Sequence, residues 1–505
     1  MMKNWELTRQ KVVDQRALEL PPAWVPRAAT THSTSEVNPS GVCQTGPARK
    51  LAGKICEAIS SAKEMVVVSS FLFADAELEA CLLSAARRGV SIYLMTASEH
   101  RLDREPREDS EFGQKCRADH ERLLNSLAGW ALIRSCAGFH AKAVLVDPKN
   151  PGPGFVLTAN LTAEALERNE ELAVKLQPAE TSMLFEVIRW ACWEMANHEM
   201  GKPGSFRDFK PLSMLPKPHI AGSIKAIIPG ADSITSEALE LISQANQEVV
   251  VSSFGWSGGH PVVEELCKRA REGLNVTILA RVRPAAMPAL LELRRCGAKV
   301  FGFPWLHAKA IWNDAGKGLV MSANLEPSPG KSTFELGIAL EGKRAATLGQ
   351  VLRGWSSASK LELVSSPALG GFTGTALLWQ NNAFSPYCVK EEEVIDVGEI
   401  EAPSTELMES LQPPIPTAPG LPKPAHQLVY KGNIMPPMLK PKAQERLRPG
   451  KTKRDSFTPF NPPVFREPDG RVVVAITHRE QLSHALRIKD EVKAAAIVVR
   501  EEKRS

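Results

Sequence analysis

Two segments of the chain pair a histidine with a lysine two residues on and an aspartate five residues after that. The first holds His140, Lys142 and Asp147; the second holds His307, Lys309 and Asp314. Each is followed by a hydroxyl, an amide and a carboxylate in the same order: Thr158, Asn160 and Glu171, then Ser322, Asn324 and Glu335. On a strand, residues two apart share a face, so each His projects with its Lys. Brought into one cleft, the two lysines with Asn160 and Asn324 would pin the non-bridging oxygens of a phosphate. One imidazole could attack phosphorus and carry it covalently. The other could protonate the leaving oxygen and then activate water, work suited to a group that titrates near neutrality. Glu171 and Glu335 are the groups able to accept from the second ring nitrogen and fix the tautomer. Asp147 and Asp314 fall on the opposite strand face from Lys and read as structural, bonding backbone or orienting a loop. With two lysines supplying positive charge, no metal and no cofactor is required, and neither HExxH nor a carboxylate array at ligand spacing occurs.

One such match arises by chance in about a few per cent of average chains. Two, at the same place in an internal repeat, are much harder to dismiss. Val66-Val67-Val68-Ser69-Ser70-Phe71 matches Val249-Val250-Val251-Ser252-Ser253-Phe254 without a gap. These β-branched runs read as buried strands. A helical pattern follows each and stops at Gly89 or Gly273, suited to a left-handed cap. Another strand comes next ("VSIYLM" and "NVTIL"), then a variable stretch, then the motif strand and one more. The variable stretch is longer in the first half, from Ala97 to Gly138, and its mixed charges read as a solvated helix and loop, the alternative being a rim of the active site. The expected class is α/β: two similar α/β/α halves with mixed sheets packed about a pseudo-twofold axis, helices outside. A Pro-rich linker and a small C-terminal αβ unit complete the chain.

The expected boundaries are an irregular arm over 1–47, a first half over 48–200, a hinge over 201–222 and a second half over 223–365. A charged and Pro-rich linker over 366–463 leads to a strand–helix unit over 464–505, with a capping box at Thr477 and Glu480. The 505 residues suffice for several cores. Nine cysteines, an odd number without a C-x-x-C pair, argue against a disulfide framework or structural zinc and for a reducing compartment. No apolar run has signal-peptide character or the length to span a bilayer, so the expectation is a soluble cytoplasmic protein.

The paired motifs, the asparagines after them and the later glutamates resemble the phospholipase D superfamily, over roughly Arg49 to Leu363. The resemblance implies a metal-independent phosphodiesterase working through a phosphohistidine. It also implies that His140 is the nucleophile and His307 the general acid and base. Leu157 and Met321 stand where the family pattern has glycine. Thr158 stands where it has serine, and Ser322 keeps the serine.

Among the family's substrates the sequence leans toward nucleic acid, DNA in particular. The chain lacks the spanning helices of membrane-embedded synthases and the large inserted loops of interfacial phospholipases. It also keeps both motif aspartates, which tyrosyl-DNA phosphodiesterases lack. Lys440–Arg454 carries seven basic residues against one acid, a charge of +6 that exceeds the +5 of the whole chain. Such a run could track a phosphate backbone, anionic lipid, or the acidic stretch Glu391–Glu409. The reading is a DNA-directed nuclease of defence or repair. The resemblance suggests a helicase or restriction-like protein as partner. The alternatives are a soluble phospholipase D acting on lipid head groups and a non-catalytic nucleic-acid binder.

Overall fold

The computed structural model describes residues 20–29, 40–46, 48–97, 110–150, 152–211, 213–327, 333–367, 372 and 374–389, with short strands at 393–395, 464–466, 472–476 and 496–499. Two compact units emerge, and residues 27–365 form the main body of the one that holds both motifs.

Within that unit the repeat is visible strand by strand. The first sheet contains, as neighbours in order, Ala131–Cys136, Ser91–Ala97, Met65–Ser69, Ala143–Val146, Gly154–Leu157 and Leu172–Lys175. The second contains Lys299–Phe303, Asn275–Arg281, Glu248–Ser253, Ala310–Asn313, Lys317–Met321 and Glu335–Glu341 in the same order. In both, the first three strands are parallel to one another and the next pairings are antiparallel. Helical crossovers produce the parallel part: Ala76–Arg87 and Ser110–Leu127 in the first half, Pro261–Arg271 and Met287–Arg295 in the second. The variable stretch of each half therefore holds a helix and a third parallel strand. Gly89 and Gly273, at φ +91° and +97°, end the first crossover helices in the left-handed conformation.

Burial on both faces accounts for the unbroken Val-rich strands. One apolar cluster joins Val66, Val68 and Leu94 to Ile55, Leu78 and Leu82 of the covering helices. Another runs between the halves, from Val67, Leu145 and Leu184 to Trp312, Leu336 and Leu348. The helices Pro178–Glu194 and Gly342–Ala358 contribute to this shared core. Arg344 joins the halves further, donating to both carboxylate oxygens of Glu180 at 2.9 and 2.6 Å.

The structure corrects several local expectations. The motif His and Lys do not lie on the strands but in the extended segments just before them, since the strands begin at Ala143 and Ala310. The reason is where the backbone bonds. His140 N–H donates to Phe334 O at 3.1 Å and His307 N–H to Glu170 O at 3.1 Å, so each segment pairs with the opposite half. The expected hinge begins with a hairpin: His198–Lys202 pairs with Ser205–Asp208 around Gly204 (φ +77°) and extends the first sheet beside Ala131–Cys136. The expected irregular arm supplies a strand, Val42–Gln44, against Leu172–Lys175.

In the other unit, Ala23–Pro26 pairs antiparallel with Gly374–Gln380 through Trp24 and Leu377. There the region expected as linker is a strand. The C-terminal strand Val472–Ile476 runs parallel to Ala496–Val499 in a sheet completed by Val464–Arg466 and Glu393–Ile395. The expected capping box at Thr477 and Glu480, the helix after it, and the Pro-rich and basic runs lie outside the described residues.

Candidate active site

Each histidine is held by the carboxylate of the other half. His140 Nδ1 lies 2.8 Å from Glu335 Oε1, and His307 Nδ1 lies 2.7 Å from Glu171 Oε1. A carboxylate only accepts, so Nδ1 carries the proton and Nε2 keeps its lone pair. The second carboxylate oxygen accepts from the local hydroxyl: Thr158 Oγ1 donates to Glu171 Oε2 at 2.5 Å, and Ser322 Oγ to Glu335 Oε2 at 2.5 Å. Those hydroxyls accept in turn from Leu172 N–H at 2.9 Å and Leu336 N–H at 3.0 Å. Serine and threonine serve equally because one Oγ must both donate and accept.

The lysines are fully buried. Lys142 Nζ donates to His140 O and Lys309 Nζ to His307 O, each at 2.7 Å. Lys309 Nζ also lies 3.0 Å from each nitrogen of the His307 ring. Burying two ammonium groups is costly without opposing charge, which Glu171 and Glu335 provide. The residual cost appears in the titrations. Burial, reinforced by Lys142 and only partly opposed by Glu171, brings Lys309 down to about 7. Burial and Lys309 bring His307 to about 4, although Glu171 opposes them. His140 is lowered by burial and by Lys142, against the pull of Glu335. Burial works against ionisation of Glu171 and Glu335, yet the facing histidine and lysine outweigh it and hold both carboxyls below their usual range. Neutral imidazoles between ionised carboxylates are therefore favoured.

Asn160 Oδ1 and Asn324 Oδ1 are buried and accept no hydrogen bond from the described residues. With the amide turned over, each position would present N–H to an anion's oxygen. Leu157 and Met321 are fully buried strand ends whose N–H groups donate to Lys142 O at 2.9 Å and Lys309 O at 3.0 Å. The Leu157 side chain belongs to the apolar cluster beneath the outer helices, so its bulk fills core. Asp147 and Asp314 bond backbone away from the imidazoles. Asp147 accepts from the N–H groups of Lys63, Glu64 and Met65, each at 2.8 Å. Asp314 accepts from Asn246 at 2.8 Å and Gln247 at 2.9 Å. Among the described residues, no group of three or more His, Cys, Asp or Glu is placed to hold a metal, and no helix is long and apolar enough to cross a membrane.

Sequence reasoning treated Val-Val-Val-Ser-Ser-Phe as a strand repeat and missed its role at the site. Ser69 Oγ donates to Ala141 O and Ser252 Oγ to Ala308 O, both at 2.9 Å, clamping the peptide between His and Lys. Ser70 and Ser253 accept from the N–H of Leu161 and Leu325, the residues after the asparagines. Phe71 and Phe254 set their rings edge-on to His140 and His307, at 5.2 and 4.8 Å between centroids. The available signal was identity: a buried strand needs Val-like residues, but not the same Ser-Ser-Phe twice. A second group missed is the cluster of Arg168, Arg281, Arg283 and Trp305 beside His307.

Residues 55–193 match the family model described as "Cardiolipin synthase, PLD-like domain". The chain carries a phospholipase D-like domain. That match lies in the first half, and the second half repeats its strand order and its paired residues. Among solved structures, this phospholipase D-like chain is similar to phosphatidylserine synthase from Haemophilus influenzae Rd KW20 at 12% identity and TM-score 0.46, covering 68% of this chain and 90% of that one. It is similar to Nuc, a phospholipase D family member from Salmonella typhimurium, at 20% identity and TM-score 0.24, covering 34% and 97%. A polyphosphate kinase from Porphyromonas gingivalis matches at 12% identity and TM-score 0.40, over 62% and 49%. Comparison with curated proteins returned no match.

Proposed function

We propose that the protein is a metal-independent phosphodiesterase acting through a phosphohistidine, and that its substrate is DNA. The observation that carries the chemistry is the reciprocal pair of His–Glu contacts flanked by two buried lysines. Nε2 of neutral His140 attacks phosphorus as the P–O bond to the leaving group breaks. Protonated His307 gives its Nε2 proton to the departing oxygen. Water then attacks phosphorus, its proton returns to His307, and the P–N bond breaks to restore His140. Lys142, Lys309, Asn160 and Asn324 hold the non-bridging oxygens, and Glu335 and Glu171 orient the rings. An entering diester anion raises the proton affinity of both His307 and Lys309, so substrate itself promotes the acid form that burial disfavours.

The DNA reading is supported by positive charge on one rim, where Arg168, Arg281 and Arg283 lie around Phe254 and Trp305. A second reading, hydrolysis or exchange of lipid head groups, is favoured by the description of the matching family model. The deciding assay offers purified protein with chelator to single- and double-stranded DNA, RNA and phosphatidylcholine vesicles. Cleavage of DNA is expected. Choline release without nucleic-acid cleavage would overturn the DNA reading. DNA binding without turnover, unchanged by His140→Ala, would leave only a binding role. Quenched reactions should trap label on His140; label on His307 would exchange the two roles.

A further inference from the structure

The rim beside His307 combines cations with aromatic surface in an unbroken series. Phe254 stands edge-on to His307. Arg283 lies 4.1 Å above the centre of the Phe254 ring, and Arg281 lies 5.3 Å from it. Arg281 is also 5.2 Å from the centre of Trp305, whose ring is backed by Arg168 at 3.8 Å. Trp305 keeps 39% of its surface exposed, and Arg168 is exposed beside it. It sits two residues before His307, so the backbone separation is at most about 7 Å. The carboxylate of Glu170 acts on Arg281, and the Glu326 carboxylate packs against Gly255, the residue after Phe254.

We infer that Trp305 is a stacking platform for an unpaired base next to the scissile phosphate, with Arg168, Arg281 and Arg283 taking the flanking phosphates. The substrate class is single-stranded nucleic acid. This rests on the DNA reading above and narrows it. A lipid head group offers no flat base to cover the ring, whereas a strand offers one at each nucleotide. An indole stacked on a guanidinium presents a flat surface that any base can cover, and such contacts tolerate sequence variation. A duplex keeps its bases stacked on one another and cannot use that surface without local opening.

The test measures binding in the His140→Ala background, which prevents turnover. Fluorescence anisotropy compares a labelled single-stranded deoxyoligonucleotide with an abasic strand of the same length. Trp305→Ala should weaken the base-bearing strand about tenfold, the effect of losing one stacked base, and leave the abasic strand within about twofold. Trp305→Phe, which retains a ring, should recover most of the loss and guards against a folding defect. Arg168→Ala should weaken both strands alike and lower the salt dependence. A Trp305→Ala loss shared equally by the abasic strand, or no loss at all, overturns the platform. If wild-type protein still cleaves DNA in that case, only the platform falls. Cleavage of vesicles and of no nucleic acid removes the DNA reading as well.

Discussion

The two halves place the same groups around their histidines, yet the surroundings differ. His140 meets Glu335 and the edge of Phe71, and Lys142 reaches its carbonyl oxygen. His307 meets Glu171 and Phe254, and Lys309 approaches both its ring nitrogens as well as its carbonyl. Three arginines and Trp305 then extend the second side outward. A duplicated scaffold provides two imidazoles; in the proposed mechanism the asymmetry around them would let one serve as nucleophile while the other handles protons. On the second side burial brings Lys309 to about 7 and His307 to about 4.

The largest effect should come from the histidines, and it should distinguish them. His140→Ala and His307→Ala should each lower kcat by at least about 10³-fold on a natural diester. On a p-nitrophenyl diester, whose leaving group needs no proton, His307→Ala should recover much of the first step and accumulate the phosphoryl enzyme. His140→Ala should not recover. Equal recovery of both variants would erase the functional difference between the halves.

Next come the carboxylates that cross between halves. Glu335→Gln and Glu171→Gln should each cost about 10²-fold in kcat, by misorienting the ring and removing the counter-charge to the imidazolium. The pH profile of kcat/KM reads the free enzyme. His307 must hold a proton, and its value near 4 places that requirement on the acid side; Lys309 loses its proton above about 7. Activity should peak below pH 6.5 and fall above 7, and Lys309→Arg should move that upper limb to higher pH. A profile with no limb near 7 in the wild type would remove Lys309 from the balance. The same burial has a stability sign. Unfolded lysine titrates near 10.4 and folded Lys309 near 7, so the unfolded chain binds the extra proton between them. Stability from this group therefore rises with pH across that interval, and at neutral pH the buried charge is a cost. Lys309→Met should raise the free energy of unfolding at pH 7 by about 1–2 kcal/mol, read from urea denaturation, while abolishing turnover.

Much of this arrangement was legible because its parts repeat at fixed spacing: the Val-rich strands, the glycine-ended helices, and the order His, Lys, hydroxyl, Asn, Glu. What periodicity could not convey was partnership between distant segments. Nothing local to Glu171 indicates that it serves His307, 136 residues away, because that contact is created by the packing of one half on the other. Placing the motif on strands failed for the same reason: the backbone ahead of Ala143 and Ala310 bonds across the interface. The hairpin at 198–208 and the strand at Val42–Gln44 escaped notice because polar, Gly- and Pro-flanked segments lack the alternation that marks a strand, yet a sheet edge can still recruit them. The rim arginines carry no motif, since a guanidinium is indistinguishable by sequence from any solvated charge.

The smallest expected effect tests the aspartates, where the halves differ by one hydrogen bond. Asp147 accepts three backbone N–H groups and Asp314 two, each tying the end of a motif strand to the entry of the central strand. Asp147→Asn should cost about 1–2 kcal/mol of stability and Asp314→Asn about half that, with kcat per folded molecule within about threefold of wild type. Burial opposes ionisation of Asp147, but the N–H groups of Met65, Lys63 and Glu64 prevail and hold its pKa low. Its contribution is therefore present above the unfolded carboxyl value near 3.9 and is lost as pH falls through the lower folded value. Urea midpoints measured at pH 7 and again near pH 3 should converge for wild type and Asp147→Asn at the acid end. A fall in kcat as large as that of Glu335→Gln, with stability unchanged, would instead make the aspartate part of the chemistry. The division of the motif into reacting and scaffolding residues would then fail in both halves.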